Sequence, residues 1–432
     1  MSRSDFVIPL SSPAAAGAGR VGPKAANLAA LRQAGLPTPD GFCLAADAYR
    51  IQLARLDLES CAREVFSAED AQARRSALRM RMRLMEEPVA PEIQEPLLAA
   101  WRAVTREGAL PGVVRSSALV EDRSGSSFAG QFESFLGIGN ETDFLTAVRA
   151  CWAALWAPRA LRYMATHDLD AADTAMALLI QPLVAARAAG GGLSQTAAGG
   201  MLINATPGLG SAIAQGEVAP DRYELGRNGA LRDSHAAIEY HQTGCVHLPK
   251  APKPPASRKL CLAPARVEEL GRLMLKAESV MGMPIEIEWA MDDAGFKLLQ
   301  ARPLHLDDRQ AEEAKSADPN WLRQPRLRGQ PAGAGWGTGR ACVVNCECEI
   351  SRIAPGDVLV TRMAGPALGR VLAMVAGVVS ELGGSTSHLA SLARERCVPM
   401  VLGVPGATLQ IPEGAQVAVD GVAGIVRWMA NR

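Results

Sequence analysis

The sequence has no excess of either charge and few aromatic side chains. Lys and Arg together number 45, Asp and Glu also number 45, and aromatic residues make up 4% of the 432 residues. A chain without net charge lacks the global attraction to nucleic acid or to an anionic membrane that a basic protein has. We therefore expect no nucleic-acid partner and no membrane partner, and local charges must hold any anionic ligand.

The sequence also lacks segments that would target or anchor the protein. The first residues, MSRSDFVIPLSSPAAAG, contain neither the basic stretch nor the apolar core of a signal peptide. The longest apolar stretches, near residues 371–379, are too short to cross a bilayer. Nine scattered cysteines match no complete zinc-site spacing, which favours buried reduced thiols. Together these features predict a cytoplasmic protein.

The length and aliphatic content of the chain indicate more than one domain. Hydrophobic residues make up 48% of the sequence, and Gly (41) and Pro (28) are abundant. A chain of this length exceeds one ordinary hydrophobic core, so we expect at least two domains. Helical and strand patterns alternate from the start, because the helical run AANLAALRQAG precedes an apolar strand that begins at Phe42. This alternation predicts a mixed α/β fold.

Two apolar runs predict buried strands that lead towards polar residues. VVRSSA at 113–118 predicts a strand that continues into a polar loop at 121–130. MALLIQPLV at 176–184 predicts another strand. Binding residues are often carried by loops on a rigid scaffold, so the loop at 121–130 is a candidate for function.

A β-hairpin is predicted between residues 285 and 302, where IEIEWAM and FKLLQAR flank the turn sequence DDAG. Residues two apart share a strand face, so Glu286 lies beside Glu288, and Gln300 lies beside Arg302. Pairing across the hairpin would bring the carboxylates near an amide and a guanidinium. This hairpin is therefore a second candidate for function.

The composition changes abruptly after Leu304. Residues 305–320, HLDDRQAEEAKSADPN, are charged and have no apolar periodicity, which predicts a solvated linker. A Gly- and Pro-rich stretch that ends near Gly339 extends this boundary. The rest of the chain alternates strand patterns with one clear helix, which predicts a small second domain.

The peptide that begins GGSTSH at Gly383 carries the strongest chemical signal. A strand pattern leads to the two glycines, Ser385 and Ser387 can cap a helix, and His388 follows in the first helical turn. A helix N-terminus attracts phosphoryl oxygens, and a neutral imidazole is a nucleophile, so this position suits a phosphohistidine. A capping or core histidine would have the same spacing, and spacing alone does not separate the two interpretations.

This peptide resembles the catalytic histidine motif of the phosphoenolpyruvate synthase and pyruvate phosphate dikinase family of PEP-utilising enzymes, which reads Gly-Gly-x-Thr-Ser/Cys-His. Residues 21–42 (VGPKAANLAALRQAGLPTPDGF) and 113–138 (VVRSSALVEDRSGSSFAGQFESFLGI) resemble the nucleotide-binding half of those enzymes. Residues 285–304 (IEIEWAMDDAGFKLLQARPL) resemble its closing hairpin. The motifs occur in the family's order and cover most of the chain.

The resemblance implies an α/β (α+β) fold in which an ATP-grasp nucleotide-binding domain precedes a small β/β/α swivelling phosphohistidine domain. The implied boundaries are 1–304 for the ATP-grasp domain, with subdomains of about 1–185 and 186–304, then a linker at 305–320 and the phosphohistidine domain at 321–432. In this family a histidine takes a phosphoryl group from ATP, AMP and phosphate leave, and the histidine domain turns towards an acceptor.

The resemblance also assigns roles by motif position, with ATP and Mg as cofactors and His388 as the catalytic residue. The implied ATP-binding residues are Lys24, Arg115, Gly130, Ser134, Gln181, Glu288, Gln300 and Arg302. Lys24, Arg115, Gly130 and Ser134 would contact the phosphates, and Gln181 the adenine. Glu288, Gln300 and Arg302 would hold magnesium and phosphate together, with Glu288 and Gln300 as the metal ligands. In the alternative interpretation, Lys24 and Arg115 are ordinary surface cations.

The sequence departs from the family in two places that concern the nucleotide. Gly22, Pro23, Lys24 and Ala25 stand where the family usually has Gly-Gly-Lys-Gly. Asn204 and Ser211 flank a Gly-Leu-Gly turn on whose two sides the family has Glu. These differences raise the question of how well the chain uses ATP.

The acceptor is not identified by the sequence. Phosphoenolpyruvate synthases continue into a pyruvate-binding barrel, and rifamycin phosphotransferases insert a helical antibiotic-binding domain. We expect neither here, and we expect a minimal protein that passes phosphate to a small molecule, with a separate acceptor-binding subunit as an alternative. Two further hypotheses are a phosphocarrier whose phosphohistidine is read by a partner protein, and a degenerate nucleotide binder.

Overall fold

The computed structural model describes residues 6–121, 127–237, 259–305, 321 and 323–429. The chain divides into two units: Met1–Ala185 with Lys297–Arg302, and Ala186–Phe296 with Pro303–Arg432. The domain boundaries expected from the sequence stay predictions, and residues 306–320 of the expected linker lie outside the described residues. Within the described part of the chain, no helix is both long enough and apolar enough to cross a membrane.

The first unit contains an antiparallel sheet with the strand order β1-β2-β5-β3-β4. Its strands are β1 (Val7–Pro9), β2 (Phe42–Leu44), β3 (Gly112–Ala118), β4 (Ser134–Ile138) and β5 (Met176–Pro182). Its helices are α1 (Ala18–Val21), α2 (Pro23–Gln33), α3 (Ala46–Arg55), α4 (Glu59–Ser67), α5 (Asp70–Glu86), α6 (Pro91–Val104), α7 (Glu141–Ala154) and α8 (Pro158–Ala165). The strands predicted at Phe42, 113–118 and 176–184 are thus confirmed.

The start of α2 lies close against β3. Pro23 is the first helical residue, where its missing N–H costs no helical hydrogen bond. The preceding Gly22 has a φ of +78°, and a Cβ there would lie 2.2 Å from the carbonyl oxygen of Ser117. Glycine is needed for both reasons. The apolar face of α2, including Leu28, packs in a buried cluster with Leu179 of β5.

The second unit contains two sheets. The first of them has the order β11-β10-β6-β7-β8-β9, with residues 297–302 of β11 counted in the first unit. Its strands are β6 (Ala188–Leu193), β7 (Met201–Pro207), β8 (Asp221–Leu225), β9 (Leu231–His235), β10 (Ile285–Asp292) and β11 (Gly295–Pro303). The helices here are α9 (Ser211–Ala214) and α10 (Pro264–Met281). The predicted hairpin is confirmed as β10 and β11.

The other sheet has the order β12-β19-β18-β14-β15-β16-β17-β13, and β14 to β17 pair in parallel in its centre. Its strands are β12 (Arg326–Arg328), β13 (Gln330–Gly333), β14 (Trp336–Val344), β15 (Val358–Thr361), β16 (Gly377–Ser380), β17 (Met400–Leu402), β18 (Gln416–Asp420) and β19 (Ile425–Met429). The helices α11 (His388–Glu395) and α12 (Ala407–Gln410) accompany it.

The Gly- and Pro-rich stretch that ends near Gly339 contains β12, β13 and the start of β14. Its glycines serve packing between strands. A Cβ at Gly337 would lie 1.8 Å from the carbonyl oxygen of Ala376, and one at Gly339 would lie 2.1 Å from that of Gly356. Glycine in a strand often marks such a close approach of two backbones.

The described cysteines differ in how far they are buried. Burial raises the pKa of Cys43 to about 12, in agreement with a structural thiol. Cys348 and Cys397 are exposed, so the expectation of burial is wrong for these two. Cys397 has a φ of +55° directly after α11, which places it in a surface turn.

Candidate functional site

Lys24 lies in a buried ion pair at the start of α2. Its Nζ donates to the carbonyl oxygen of Ser116 at 2.8 Å and lies 3.2 Å from Oε2 of Glu121. The Lys24 side chain is 13% exposed and that of Glu121 is 3% exposed. A phosphate bound here would share this ammonium group with Glu121, because an ammonium group has three N–H donors. The importance of Glu121 was not predicted, although it begins the polar loop that the sequence marks.

Arg115 of β3 binds the β11 segment through two hydrogen bonds. Its Nη1 donates to the carbonyl oxygen of Leu299 at 2.7 Å, and its Nη2 donates to Oε1 of Gln300 at 2.8 Å. Gln300 is buried, whereas Arg115 is half-buried. The structure thus brings two predicted site residues into direct contact, although they lie 185 positions apart in the sequence.

Strand register places three of the predicted residues on one face of the first sheet. Arg115 is directly opposite Ser134 on β4, and Val113 is opposite Gln181 on β5. Directly opposite residues point to the same side of a sheet, so Arg115, Ser134 and Gln181 share a face. Ser134 is exposed, while the buried Gln181 donates through Nε2 to the carbonyl oxygen of Pro39 at 3.3 Å.

The β11 segment is also fixed to α2 three residues after Lys24. Nδ2 of Asn27 donates to the carbonyl oxygen of Ala301 at 3.1 Å, between Gln300 and Arg302 in sequence. Arg302 is buried. The first unit thus carries three cations, Lys24, Arg115 and Arg302, and Glu121 is a buried counter-charge beside Lys24. Cations that face one site are suited to binding a polyanion.

Gly130 precedes β4 in a turn. Its φ is +67°, a region that glycine adopts without strain. It is half-buried. Asp122 and the four residues after it lie outside the described residues. The structure therefore places Gly130 at a turn that leads to Ser134, and its role as a phosphate contact stays a prediction.

His388 is the first residue of α11, as the motif predicts. Ser387 is the N-cap, and its Oγ accepts the N–H of Ala390 at 3.3 Å. Gly383 has a φ of +96°, which allows the sharp turn between β16 and the helix. His388 is half-buried. The predicted helix start is confirmed, and the role of the imidazole stays a prediction.

The motif loop before His388 lies against β6 within the second unit. A Cβ at Gly191 would lie 2.5 Å from Cβ of Thr386, so only glycine permits this approach. Gly191 is the register partner of Glu288 on β10. Oγ1 of Thr386 donates to Oδ1 of Asn204 at 3.5 Å, and Nδ2 of the fully buried Asn204 donates to Oε1 of Gln330 at 3.1 Å.

Glu286 contacts the histidine helix directly. Its Oε2 accepts from Nη2 of Arg394 at 2.8 Å and from Oγ of Ser391 at 3.0 Å. Hairpin geometry predicts the shared face of Glu286 and Glu288 but does not predict these partners. Arg394 lies on the helix that begins at His388, and a single basic residue on a short helix gives no signal that it is buried.

The proposed metal ligands carry suitable oxygens. Glu288 is half-buried and offers a carboxylate, and Gln300 offers a carbonyl oxygen, which is the donor chemistry that magnesium prefers. Oε1 of Gln300 accepts the hydrogen bond from Arg115. Among the described residues, no group of three or more His, Cys, Asp and Glu is arranged to hold a metal ion. Each of the two side chains thus offers an oxygen donor that suits magnesium, and their use as a metal site stays a prediction.

Two family models match the two parts of the chain. Residues 18–320 match the family described as pyruvate phosphate dikinase, AMP/ATP-binding domain, and residues 353–424 match the PEP-utilising enzyme, mobile domain. The chain belongs to this pyruvate phosphate dikinase and PEP-utilising enzyme family. The mixed α/β fold class predicted from the sequence is confirmed.

Curated relatives are similar along most of the chain. The phosphoenolpyruvate synthase of Aeropyrum pernix is 30% identical over 460 residues, which cover 94% of this chain and 56% of the relative. The phosphoenolpyruvate synthase of Pyrococcus furiosus is 28% identical, and the probable phosphoenolpyruvate synthase of Archaeoglobus fulgidus is 31% identical, with the same coverage of both chains. The chain thus spans about half the length of the curated relatives it matches.

Proposed function

We propose that this chain is an ATP-dependent dikinase-type phosphotransferase that phosphorylates its own His388 and then transfers the phosphoryl group to a small-molecule acceptor. The observation that carries the proposal is the position of His388. It begins a helix directly after a loop that packs against Gly191, the register partner of Glu288. Family membership through an AMP/ATP-binding domain and a mobile domain supports the same assignment.

The three cations of the first unit would hold the phosphates of ATP. Lys24, Arg115 and Arg302 would compensate the charge of the polyphosphate, with Gly130 and Ser134 as loop contacts. Lys24 would then share its ammonium group between Glu121 and phosphate. Gln181 would contact the adenine base.

Magnesium, when bound through Glu288 and Gln300, would neutralise phosphate charge as the reaction proceeds. Arg115 donates to Oε1 of Gln300. An amide oxygen has two lone pairs, so Oε1 of Gln300 could keep the hydrogen bond from Arg115 while it binds the metal. Arg115 would then help to orient both the amide and the phosphates.

The chemistry at His388 is a nucleophilic attack. A neutral imidazole nitrogen forms a bond to the β-phosphorus of ATP, and the bond between that phosphorus and the AMP oxygen breaks. Water takes the γ-phosphoryl group, so inorganic phosphate leaves. The positive end of α11 favours the phosphorylated form because it stabilises negative charge at the first turn.

Transfer of label from ATP tests this assignment. After incubation with magnesium and ATP labelled at the β-phosphate, we expect label on His388 and AMP in solution. The His388→Ala variant should carry no label. The matched control His235→Ala changes an exposed histidine beside Asp233 in the same unit and should be labelled normally. Undiminished labelling of His388→Ala would refute the proposal.

The acceptor is proposed as a small organic molecule because the relatives are named phosphoenolpyruvate synthases. A separate acceptor-binding subunit is the alternative. The two are distinguished by adding candidate acceptors to phosphorylated protein that is free of other chains. Loss of label from His388 with appearance of a phosphorylated small molecule supports transfer by this chain. Label that is lost only when another protein is added supports the separate subunit.

A further inference from the structure

We propose that Glu286 is a positioning residue that holds the histidine helix α11 on the β6–β10 sheet through a buried ion pair with Arg394. The proposal concerns the second unit. Its consequence for the phosphorylation of His388 rests on the proposed function, but the docking of α11 on the sheet does not. The sequence marks Glu286 only as a neighbour of Glu288, and the structure assigns it a partner of its own.

The contacts of the pair leave little of it in water. Nη2 of Arg394 donates to Oε2 of Glu286 at 2.8 Å, and each side chain is 7% exposed. Oγ of Ser391, one turn earlier on α11, donates to Oε2 and Oε1 of the same carboxylate at 3.0 and 3.3 Å. The carboxylate is therefore bound by two side chains from one face of the helix.

Arg394 also ties the motif loop to its own domain. Its Nη1 donates to the carbonyl oxygen of Ser385 at 2.7 Å and to that of Ala332 at 3.1 Å. Oγ of Ser385 in turn donates to the carbonyl oxygen of Pro331 at 2.6 Å. The guanidinium therefore has fixed partners on the histidine side, and Glu286 is the partner that the sheet contributes.

A buried ion pair makes docking depend on both of its members. Removing one charge leaves the other buried without compensation, which is far more costly than losing an exposed pair. When the helix leaves the sheet, both groups become hydrated instead. Docking therefore needs both members of the pair, because loss of either one leaves the other buried without its partner.

The pair also sets the direction in which α11 lies along β10. Thr386 packs on Gly191, which is opposite Glu288, whereas Arg394 reaches Glu286, which is opposite Leu193. Directly opposite residues share a face, so the motif loop covers the face to which both glutamates point.

The beginning of α11 is therefore directed towards Glu288 and its end towards Glu286. The two glutamates are separated by about 7 Å along the strand, and His388 and Arg394 by about 9 Å along the helix axis. One carboxylate fixes the far end of the helix while the neighbouring carboxylate is the proposed magnesium ligand. This is the arrangement expected when His388 is being phosphorylated.

The first experiment measures the rate of His388 labelling against ATP concentration. In Glu286→Gln we expect the maximal rate to fall about tenfold or more, because fewer molecules are docked, while KM for ATP stays unchanged. Arg394→Lys keeps the charge and should restore part of the rate that Arg394→Met loses. The matched control Glu269→Gln removes an exposed ion pair with Arg266 on α10 and should behave as wild type.

A raised KM for ATP with an unchanged maximal rate in Glu286→Gln would mean that Glu286 contacts the nucleotide or its metal, and the proposal would be wrong. An unchanged rate and KM would overturn it as well. Ser391→Ala removes only one hydrogen-bonding hydroxyl. It tests the same contact if the Glu286→Gln protein does not fold. It should lower the rate by a few-fold.

The second experiment does not use nucleotide, so it separates this proposal from the proposed function. Hydrogen exchange of the unliganded protein should become faster in Glu286→Gln and in Ser391→Ala for peptides from 285–292 and 383–395. Peptides from β18 and β19 should be unaffected. Unchanged protection at both segments in both variants would overturn the proposed role of the Glu286–Arg394 pair, even if His388 is phosphorylated. Faster exchange in a protein that ATP never labels would support that role and refute the proposed function.

Discussion

Replacing Gly191 by Ala would add a methyl group where the motif loop now lies. An ideal Cβ at this position would be 2.5 Å from Cβ of Thr386, 2.6 Å from its Oγ1 and 2.8 Å from its Cγ2. Carbon atoms in contact are usually about 3.5–4.0 Å apart. Three atoms of one β-branched side chain are involved, so a rotamer change cannot relieve the clash. The loop must retreat by about 1 Å.

The expected effect is much larger on the reaction than on the fold. Overpacking of this kind costs about 1–3 kcal/mol of stability, which a domain of this size tolerates. A displacement of about 1 Å at a reacting group lowers a rate by about 100-fold. Since Thr386 is two residues before His388, we expect Gly191→Ala to lose about 100-fold in labelling rate while it remains folded.

The assay is the rate of label transfer from ATP to His388, with urea unfolding of the same samples. Gly192→Ala is the matched control, because the new Cβ would meet Cε and Sδ of Met274 at 2.8 Å, at the flexible end of a side chain. It should lose some stability but keep the labelling rate within a few-fold. A Gly191→Ala protein that is labelled at the wild-type rate would refute the view that His388 is phosphorylated while the motif loop lies against Gly191.

Two further predictions concern the hairpin and pH. Glu288→Ala and Arg302→Ala should each abolish AMP formation with an unchanged circular dichroism spectrum, and wild-type turnover in either would remove the hairpin from the proposed site. Burial acts to raise the pKa of Asp357, but the hydrogen bonds from Arg340 and a backbone N–H and the Arg340 charge outweigh it, so its pKa is lowered. The stability it contributes is thus present above the unfolded pKa of about 3.9 and is lost as the pH falls through the lower folded pKa. Asp357→Asn should unfold at lower urea concentration than wild type at pH 7, and this difference should shrink in acid; a difference independent of pH would contradict the ion-pair argument.

Local patterns in the sequence predicted the elements that carry the site. The helix start at His388 follows from Ser387 as the N-cap, and the hairpin follows from the turn sequence DDAG between two apolar strands. Each signal lies within a few residues of the feature it predicts. Such signals depend on hydrogen bonds and backbone angles that neighbours in sequence decide, so they can be read without knowledge of the tertiary fold.

The partners of the charged residues could not be predicted in the same way. Lys24 and Glu121 lie far apart in the sequence, and Glu286 and Arg394 are 108 positions apart. A charged residue in a sequence is most often solvated, and only tertiary packing decides which of them become buried together. The strand β14 was missed for a related reason, since its glycines resemble turn residues until the neighbouring backbone is known.

Asn204 shows how the structure changes the meaning of a departure from the family. The sequence suggests a lost nucleotide contact, because the family usually has Glu beside this glycine turn. In the structure the side chain is fully buried, donates to Gln330 and accepts from Thr386 of the motif loop. A carboxylate has no proton to donate to Oε1 of Gln330, so only the amide can make both contacts as they stand. The substitution therefore supports the position of the motif loop.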